Sequence, residues 1–269
     1  EKYYNGVIEQ VAGGIGNVEH NSILVRYSND FSIWDLESVN HYKDQTDIFF
    51  TCHEFSYNKI AEAYEPYLGL IRQMFHKYCS GTLEEFMEEC DVYKLQRPVF
   101  ESYFEKGFCE RTEQILIDEV EYEQERMHSS IVTMLQKLSE ICPIVIVLNR
   151  FQLASKSTMQ LTNRLLQTKN KNIGIVLGVN DVQSIPEFAH EEWDAICESM
   201  DDRNMVYHIG NAGRNMEPDV MDYYSDYESD DGYRKLNNLV YFLDFDQADH
   251  HLSKIERRIK FDRICADTV

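Results

Sequence analysis

Asn149 and Arg150 stand where a nucleotide-hydrolysing chain would carry two acids. Hydrolysis of a nucleoside triphosphate needs one carboxylate at the end of a buried strand to hold Mg²⁺, and often a second to polarise the attacking water. Ile144 to Leu148 is a continuous apolar run, led by Pro143 and ended by polar residues. That pattern predicts a strand buried on both faces of a parallel sheet. At its end the chain offers an amide and a cation in place of two negative charges.

The same chemistry needs a second element upstream, a glycine-rich loop after the first strand that closes on Lys and then Ser or Thr. Ser22 to Arg26 predicts that strand, and the chain continues Tyr27-Ser28-Asn29-Asp30-Phe31-Ser32-Ile33-Trp34-Asp35. Counting from the strand puts Ile33 at the lysine position and Trp34 at the Mg²⁺-binding hydroxyl. Tyr27, Asp30 and Ser32 are degenerate loop positions, and no glycine lets backbone amides approach a phosphate. Asp30 and Asp35 add negative charge. A site plugged by Trp34 or Phe31 would favour loss of nucleotide binding, and a loop around an empty concavity its retention; Arg150 is expected to pair with an acid such as Asp30 or Asp35.

These residues carry a resemblance. Asn149 and Arg150 followed by Phe151, Gln152, Leu153, Ala154, Ser157 and Thr158 resemble the segment of STAND-class ATPases, signalling relatives of AAA+ proteins, in which two acids precede a short aromatic loop and a Ser-Thr pair opening a helix. Leu153 replaces the usual tryptophan. Cys52, Glu54, Tyr64 and Pro66 resemble the Cys-x-Glu and Tyr-x-Pro motifs of the same class. Asn180, leaving a later strand, occupies the kind of position where AAA+ relatives carry a polar sensor, though without a lysine or acids nearby an ordinary loop cap is the favoured account. The resemblance implies a P-loop NTPase-like α/β fold, a parallel sheet with helices on both faces and a helical insertion over about 59–138. The degenerate positions imply a non-catalytic pseudo-ATPase that serves as a regulatory or scaffold domain of a cytoplasmic multidomain signalling protein, with no cofactor. Its partners would be proteins, or attached effector and helical-repeat domains. The alternative is a divergent ATPase that uses ATP with Mg²⁺ at an unconventional site, with Arg26, Arg150 or Lys156 supplying positive charge.

Other constellations offer less. Asp246, Asp249, His250 and His251 crowd carboxylates and imidazoles together, but adjacent histidines on a helix point about 100° apart and do not share one ion. Cys52 and His53 would need a third orienting group to form a nucleophile pair. Gly13 and Gly14 precede the first strand rather than follow it, so they read as a helix stop and turn. No GxSxG, HExxH or paired-cysteine zinc pattern occurs.

The elements that must position these residues follow from periodicity. Helical spacing covers Tyr3 to Val11, the region near Ser32 to Tyr42, much of Lys59 to Leu138, and Ser157 to Gln167. Strands are expected at Ser22 to Arg26, Asp47 to Cys52, Pro143 to Leu148, Ile173 to Val179 and Met205 to Ile209. Alternation of this kind argues for a parallel sheet covered on both faces. The core is expected over 1–210, an acidic tyrosine-rich loop over 211–232, and the end of the core with the start of a helical lid over 233–269. Within that last part, Leu239 to Phe245 reads as a strand end. The chain, opening on Glu1 and stopping where a lid would continue, reads as part of a longer protein.

Composition agrees. A chain of 269 residues that is 43% hydrophobic can bury a sizeable core. Its net charge of −21 disfavours binding to nucleic acid or anionic membrane through phosphates. Seven scattered cysteines give no disulfide framework and fit a reducing compartment, and no apolar run approaches the length of a membrane span.

Overall fold

The computed structural model describes residues 2–16, 21–27, 33–45, 47–56, 59–108, 120–168, 170–180, 185–201, 206–209 and 230–266. They form an α/β architecture around an all-parallel sheet. The strands are β1 (Ser22–Tyr27), β2 (Phe49–Glu54), β3 (Ile144–Asn149), β4 (Ile173–Asn180) and β5 (Val206–Ile209), in the order β2-β3-β4-β1-β5. Ile144 to Leu148 of β3 are fully buried. Each such aliphatic side chain contributes on the order of 1.5–3 kcal/mol when removed from water, which is why this run had so clear a signature.

Helix α1 (Lys2–Gly13) precedes the sheet and α2 (Glu37–Lys43) links β1 to β2. Tyr4, Val7, Ile8 and Val11 form the buried stripe of α1, which lies across β4. Two glycines of β4 permit that approach: a Cβ at Gly174 would sit 2.7 Å from Val11 Cγ1, and one at Gly178 would meet the Tyr4 hydroxyl. Between β2 and β3 come α3 (Tyr67–Tyr78), α4 (Leu83–Glu89), α5 (Arg97–Lys106) and α6 (Val120–Ile141), the expected helical insertion. Helix α7 (Lys156–Gln167) joins β3 to β4, and α8 (His190–Asp201) joins β4 to β5. Right-handed crossovers put α2 on one face and α6, α7 and α8 on the other, and α1 packs beside α2.

The chain leaves β1 toward β2 and leaves the neighbouring β4 toward β5, in opposite directions. In open parallel sheets the carboxyl edge at such a reversal is the usual ligand position.

The C-terminal pair α9 (Asp230–Tyr241) and α10 (Phe245–Ala266) corrects one expectation. Leu239 to Phe245 is the last turn of α9 and the bend into α10, with Leu243 at φ 67°, rather than a strand end. Its composition is β-prone, yet Leu239, Phe242 and Leu243 are fully buried at three- and four-residue spacing. Phe242 packs against Tyr64, Phe100 and Tyr103, and the Gln124 side chain donates to Leu243 O at 2.6 Å. Residues 230–232, assigned from sequence to the acidic loop, begin α9; 211–229 lie outside the described residues. Helix α8 was not anticipated at all, although Trp193, Ile196 and Met200 are buried at helical spacing. No helix among the described residues is long and apolar enough to cross a membrane.

Candidate functional site at the carboxyl edge of the sheet

Order and register bring the residues singled out from sequence to one edge. Tyr27 ends β1 opposite Asn180, which ends β4, and Asn149 ends β3 opposite Glu54, which ends β2. Strand β4 runs between β1 and β3, and its Gly178 leaves a gap that the flanking side chains cross. The Tyr27 hydroxyl donates to Asn149 Oδ1 at 2.8 Å. A Cβ at Gly178 would lie 2.5 Å from that same Oδ1 and closer still to the Tyr4 hydroxyl. Tyr4, Tyr27 and Asn149 are buried, and burial raises the Tyr4 pKa, with the neighbouring Tyr27 second. Two neutral phenols and an amide therefore fill the edge from the α1 side.

Glu54 organises the next layer. Its Oε2 accepts the backbone N–H of Ile33 at 3.2 Å, and its Oε1 lies 3.5 Å from Arg150 Nε. Ile33 is fully buried and opens a short 3₁₀ turn, Ile33–Asp35, that follows β1. Arg150 adopts a left-handed backbone, φ 53°, which for a non-glycine residue costs about 1 kcal/mol. That bend turns the chain off β3. A carboxylate held by a turn amide and a guanidinium is anion recognition by the chain's own side chain.

Among the described residues Glu54 is the acid beside Arg150, because β2 lies next to β3 and ends beside it; the expected pairing with Asp30 lies outside the described residues. Ile33, rather than Trp34, fills the interior, since Trp34 remains 49% exposed. A bulky aromatic beside a branched aliphatic is sorted by the twist of the turn, which composition does not reveal. Phe31 and Ser32 also lie outside the described residues. Asn180 is buried, and its backbone N–H donates to Gln152 Oε1 at 3.3 Å, tying the end of β4 to the loop after β3.

The two upstream and downstream motif segments also meet. Ser155 caps α7, accepting from Thr158 N–H at 3.3 Å, and its hydroxyl donates to Glu62 O at 2.9 Å. Ser157 Oγ accepts from Tyr64 N–H at 3.3 Å, and the Thr158 hydroxyl donates to Glu65 O at 3.2 Å. The Ser157 N–H donates to Asp244 Oδ2 at 2.9 Å. Asp244, from the bend between α9 and α10, thus neutralises the positive end of α7. Burial pushes its carboxyl above the usual range, opposed by the donors of Ser157 and Gln247.

The remaining candidates have ordinary surroundings. Burial holds the Cys52 thiol up at about 12 and His53 down at about 4, protonation states unsuited to a thiolate–imidazolium pair. His251 exchanges a hydrogen bond with Gln247 at 2.9 Å and His250 packs on Phe188. Among the described residues no group of three or more His, Cys, Asp and Glu could hold a metal ion. The role of Glu54 as the internal anion was the main feature missed; its place in the Cys-x-Glu motif at the end of β2 was the available signal. Comparison with known protein families, curated proteins and solved structures finds no match to this chain.

Proposed function

We propose that the chain is a non-catalytic domain of P-loop NTPase type, similar to STAND-class ATPases, that serves a regulatory or scaffold role in a multidomain signalling protein. The observation that carries this reading is the Glu54 carboxylate seated between the Ile33 N–H and Arg150. An anion-binding position at the end of β1 and β3 is occupied by a side chain that cannot leave. With Tyr27 bonded to Asn149 beneath it, the described polar groups of this edge pair with one another, which supports a site without nucleotide chemistry.

The divergent-ATPase alternative relies on three cations, and each is engaged by the protein. Arg26 lies over the Trp193 ring at 5.8 Å and donates to Cys197 Sγ. Arg150 faces Glu54. Lys156 is 2.6 Å from Asp246 Oδ2 and 3.7 Å from Glu192 Oε1.

The test is phosphate release from ATP with Mg²⁺ by the native chain and by Asn149→Asp/Arg150→Glu. Restoring two acids leaves the phosphate seat without its lysine and glycines, so both proteins are expected to stay at background. Hydrolysis well above background in either would replace the pseudo-enzyme reading with the divergent ATPase.

A further inference from the structure

The arm formed by α9 and α10 meets the rest of the protein at its bend. Among the described residues the two helices pack chiefly on each other, while the consecutive residues Phe242, Leu243 and Asp244 between them each hold a different part of the core. Phe242 enters a socket of Tyr64, Phe100 and Tyr103. Leu243 O accepts the Gln124 amide of α6 at 2.6 Å, and Asp244 Oδ2 accepts the Ser157 N–H of α7 at 2.9 Å. Around this junction Asn238 donates to Glu62 Oε2 at 3.1 Å, and Lys156 joins Asp246 to Glu192. Farther out, Arg234 lies over the Phe108 ring and His250 against Phe188. The junction borders an open groove of about 780 Å³ between α6, α7 and α8, whose lining includes Gln124, His128 and Glu192.

One carboxylate caps two helices here. Asp244 precedes α10, and its Oδ1 accepts the Gln247 N–H at 3.3 Å, the usual N-cap bond, while its Oδ2 closes the N-terminus of α7. Asp244 is buried, and an ionised carboxylate out of water is held only while donors reach its oxygens. The cap of the arm's own helix and the attachment of the arm to the core are therefore one structure.

The backbone is unusual at the same place. Tyr64 and Leu243 both take the left-handed conformation, at φ 56° and 67°, which residues with a side chain disfavour. Leu243 stands at the end of α9, where glycine is usual, and the Asp244 N–H closes that end on Leu239 O at 2.8 Å. Of the four non-glycine residues with positive φ, Tyr64, Asp91, Arg150 and Leu243, two thus lie on opposite sides of this junction. Conformations of this kind persist only where the surroundings hold them, and they concentrate at switch regions.

We propose that α9 and α10 form a two-state arm that leaves and rejoins the core as one unit, latched by Asp244 on α7, and that the undocked state uncovers the aromatic socket of Tyr64, Phe100 and Tyr103. Such an element can carry a signal, because anything that binds one state better than the other shifts the balance between them. The inference stands whether or not the carboxyl edge binds nucleotide.

The test is native-state hydrogen exchange of the whole chain in low urea, followed residue by residue. The amides of α9, α10 and Ser157 are expected to share one opening, with one urea dependence, at least about a hundredfold more frequent than the opening of β3 and β4. Asp244→Asn keeps a side chain that caps α10 as well as aspartate does but offers one oxygen to two helices, so the shared opening should become at least about tenfold more frequent. Asp249→Asn, which removes the same charge from an exposed position of α10, should leave it within about twofold of the unaltered chain. Exchange of the arm only together with β3, separate openings of α9 and α10, or equal behaviour of the two variants would overturn the proposal. The first two of these outcomes are read on the unaltered chain, so a variant that fails to fold does not remove the test.

Discussion

The carboxyl edge of the sheet and the groove between α6, α7 and α8 treat charge in opposite ways. At the edge, the Glu54 carboxylate meets a turn amide and a guanidinium, and the Tyr27 hydroxyl meets Asn149 across a glycine. In the groove, a neutral imidazole and a carboxylate oxygen are buried without partners among the described residues. Both regions are built by the same packing forces. The edge is assembled by strands whose register is fixed by the core, so its polar side chains are held against one another. The groove lies between helices, where acceptors can be left over. The comparison is between an edge whose described polar groups are paired by strand register and a helical face where such groups are left over.

Substitutions can break this comparison, and the largest effect is expected at the closed edge. Gly178→Ala puts a methyl group into the Tyr4 hydroxyl and Asn149 Oδ1, both buried, and should destabilise the protein by about 3 kcal/mol in urea unfolding. A loss below about 0.5 kcal/mol would mean that the edge is loosely packed and could admit a ligand.

Glu54→Ala sharpens the contrast. It removes the carboxylate that lies against both Arg150 and the Ile33 N–H, at a cost of about 2 kcal/mol. Low-millimolar inorganic phosphate should then raise the melting temperature of the variant and leave the unaltered protein unchanged. Equal responses would show that Glu54 does not act as the internal anion.

Acid should unfold the protein through histidines in both regions. His53 and His128 are held at about 4 and His251 at about 3, each by burial, against an ordinary value of about 6.5. The folded state therefore binds fewer protons than the unfolded state below pH 6.5. Stability conferred by the neutral rings is complete above that value and is lost as pH falls toward 4, each ring contributing a slope approaching about 1.4 kcal/mol per pH unit. Urea midpoints measured from pH 7 to pH 4 should show the decline, reduced by one proton in His128→Phe. A flat profile would place these rings in contact with water.

The smallest effect belongs to the open groove. Asn163→Ala, beside Arg164 on its wall, should change stability by less than about 0.5 kcal/mol, and a larger loss would mean that the groove wall bears on the fold.

Much of this organisation was legible before the structure. The runs of β1, β3 and β4 announce themselves because strands buried on both faces need uninterrupted apolar sequence. Asn149 and Arg150 could be located at a strand end for the same reason, whereas Glu54 ends the half-buried β2 and was placed by its Cys-x-Glu motif. Their partners could not, because contact between Arg150 and Glu54 follows from β2 lying beside β3, a fact of topology. The end of α9 misled for a local reason: valine, tyrosine and phenylalanine favour strands until a buried helical stripe overrides them. Helix α8 hid its apolar spacing among acids. The groove left no trace, since His128 and Glu192 read as ordinary surface residues of amphipathic helices until three helices enclose them.

The central claim, that the carboxyl edge is filled by the chain's own groups, is tested most directly by calorimetric titration of the whole chain with ATP and Mg²⁺. No saturable heat is expected up to millimolar nucleotide. A micromolar dissociation constant, abolished by Arg150→Ala, would contradict it and show that the edge opens to take a nucleotide.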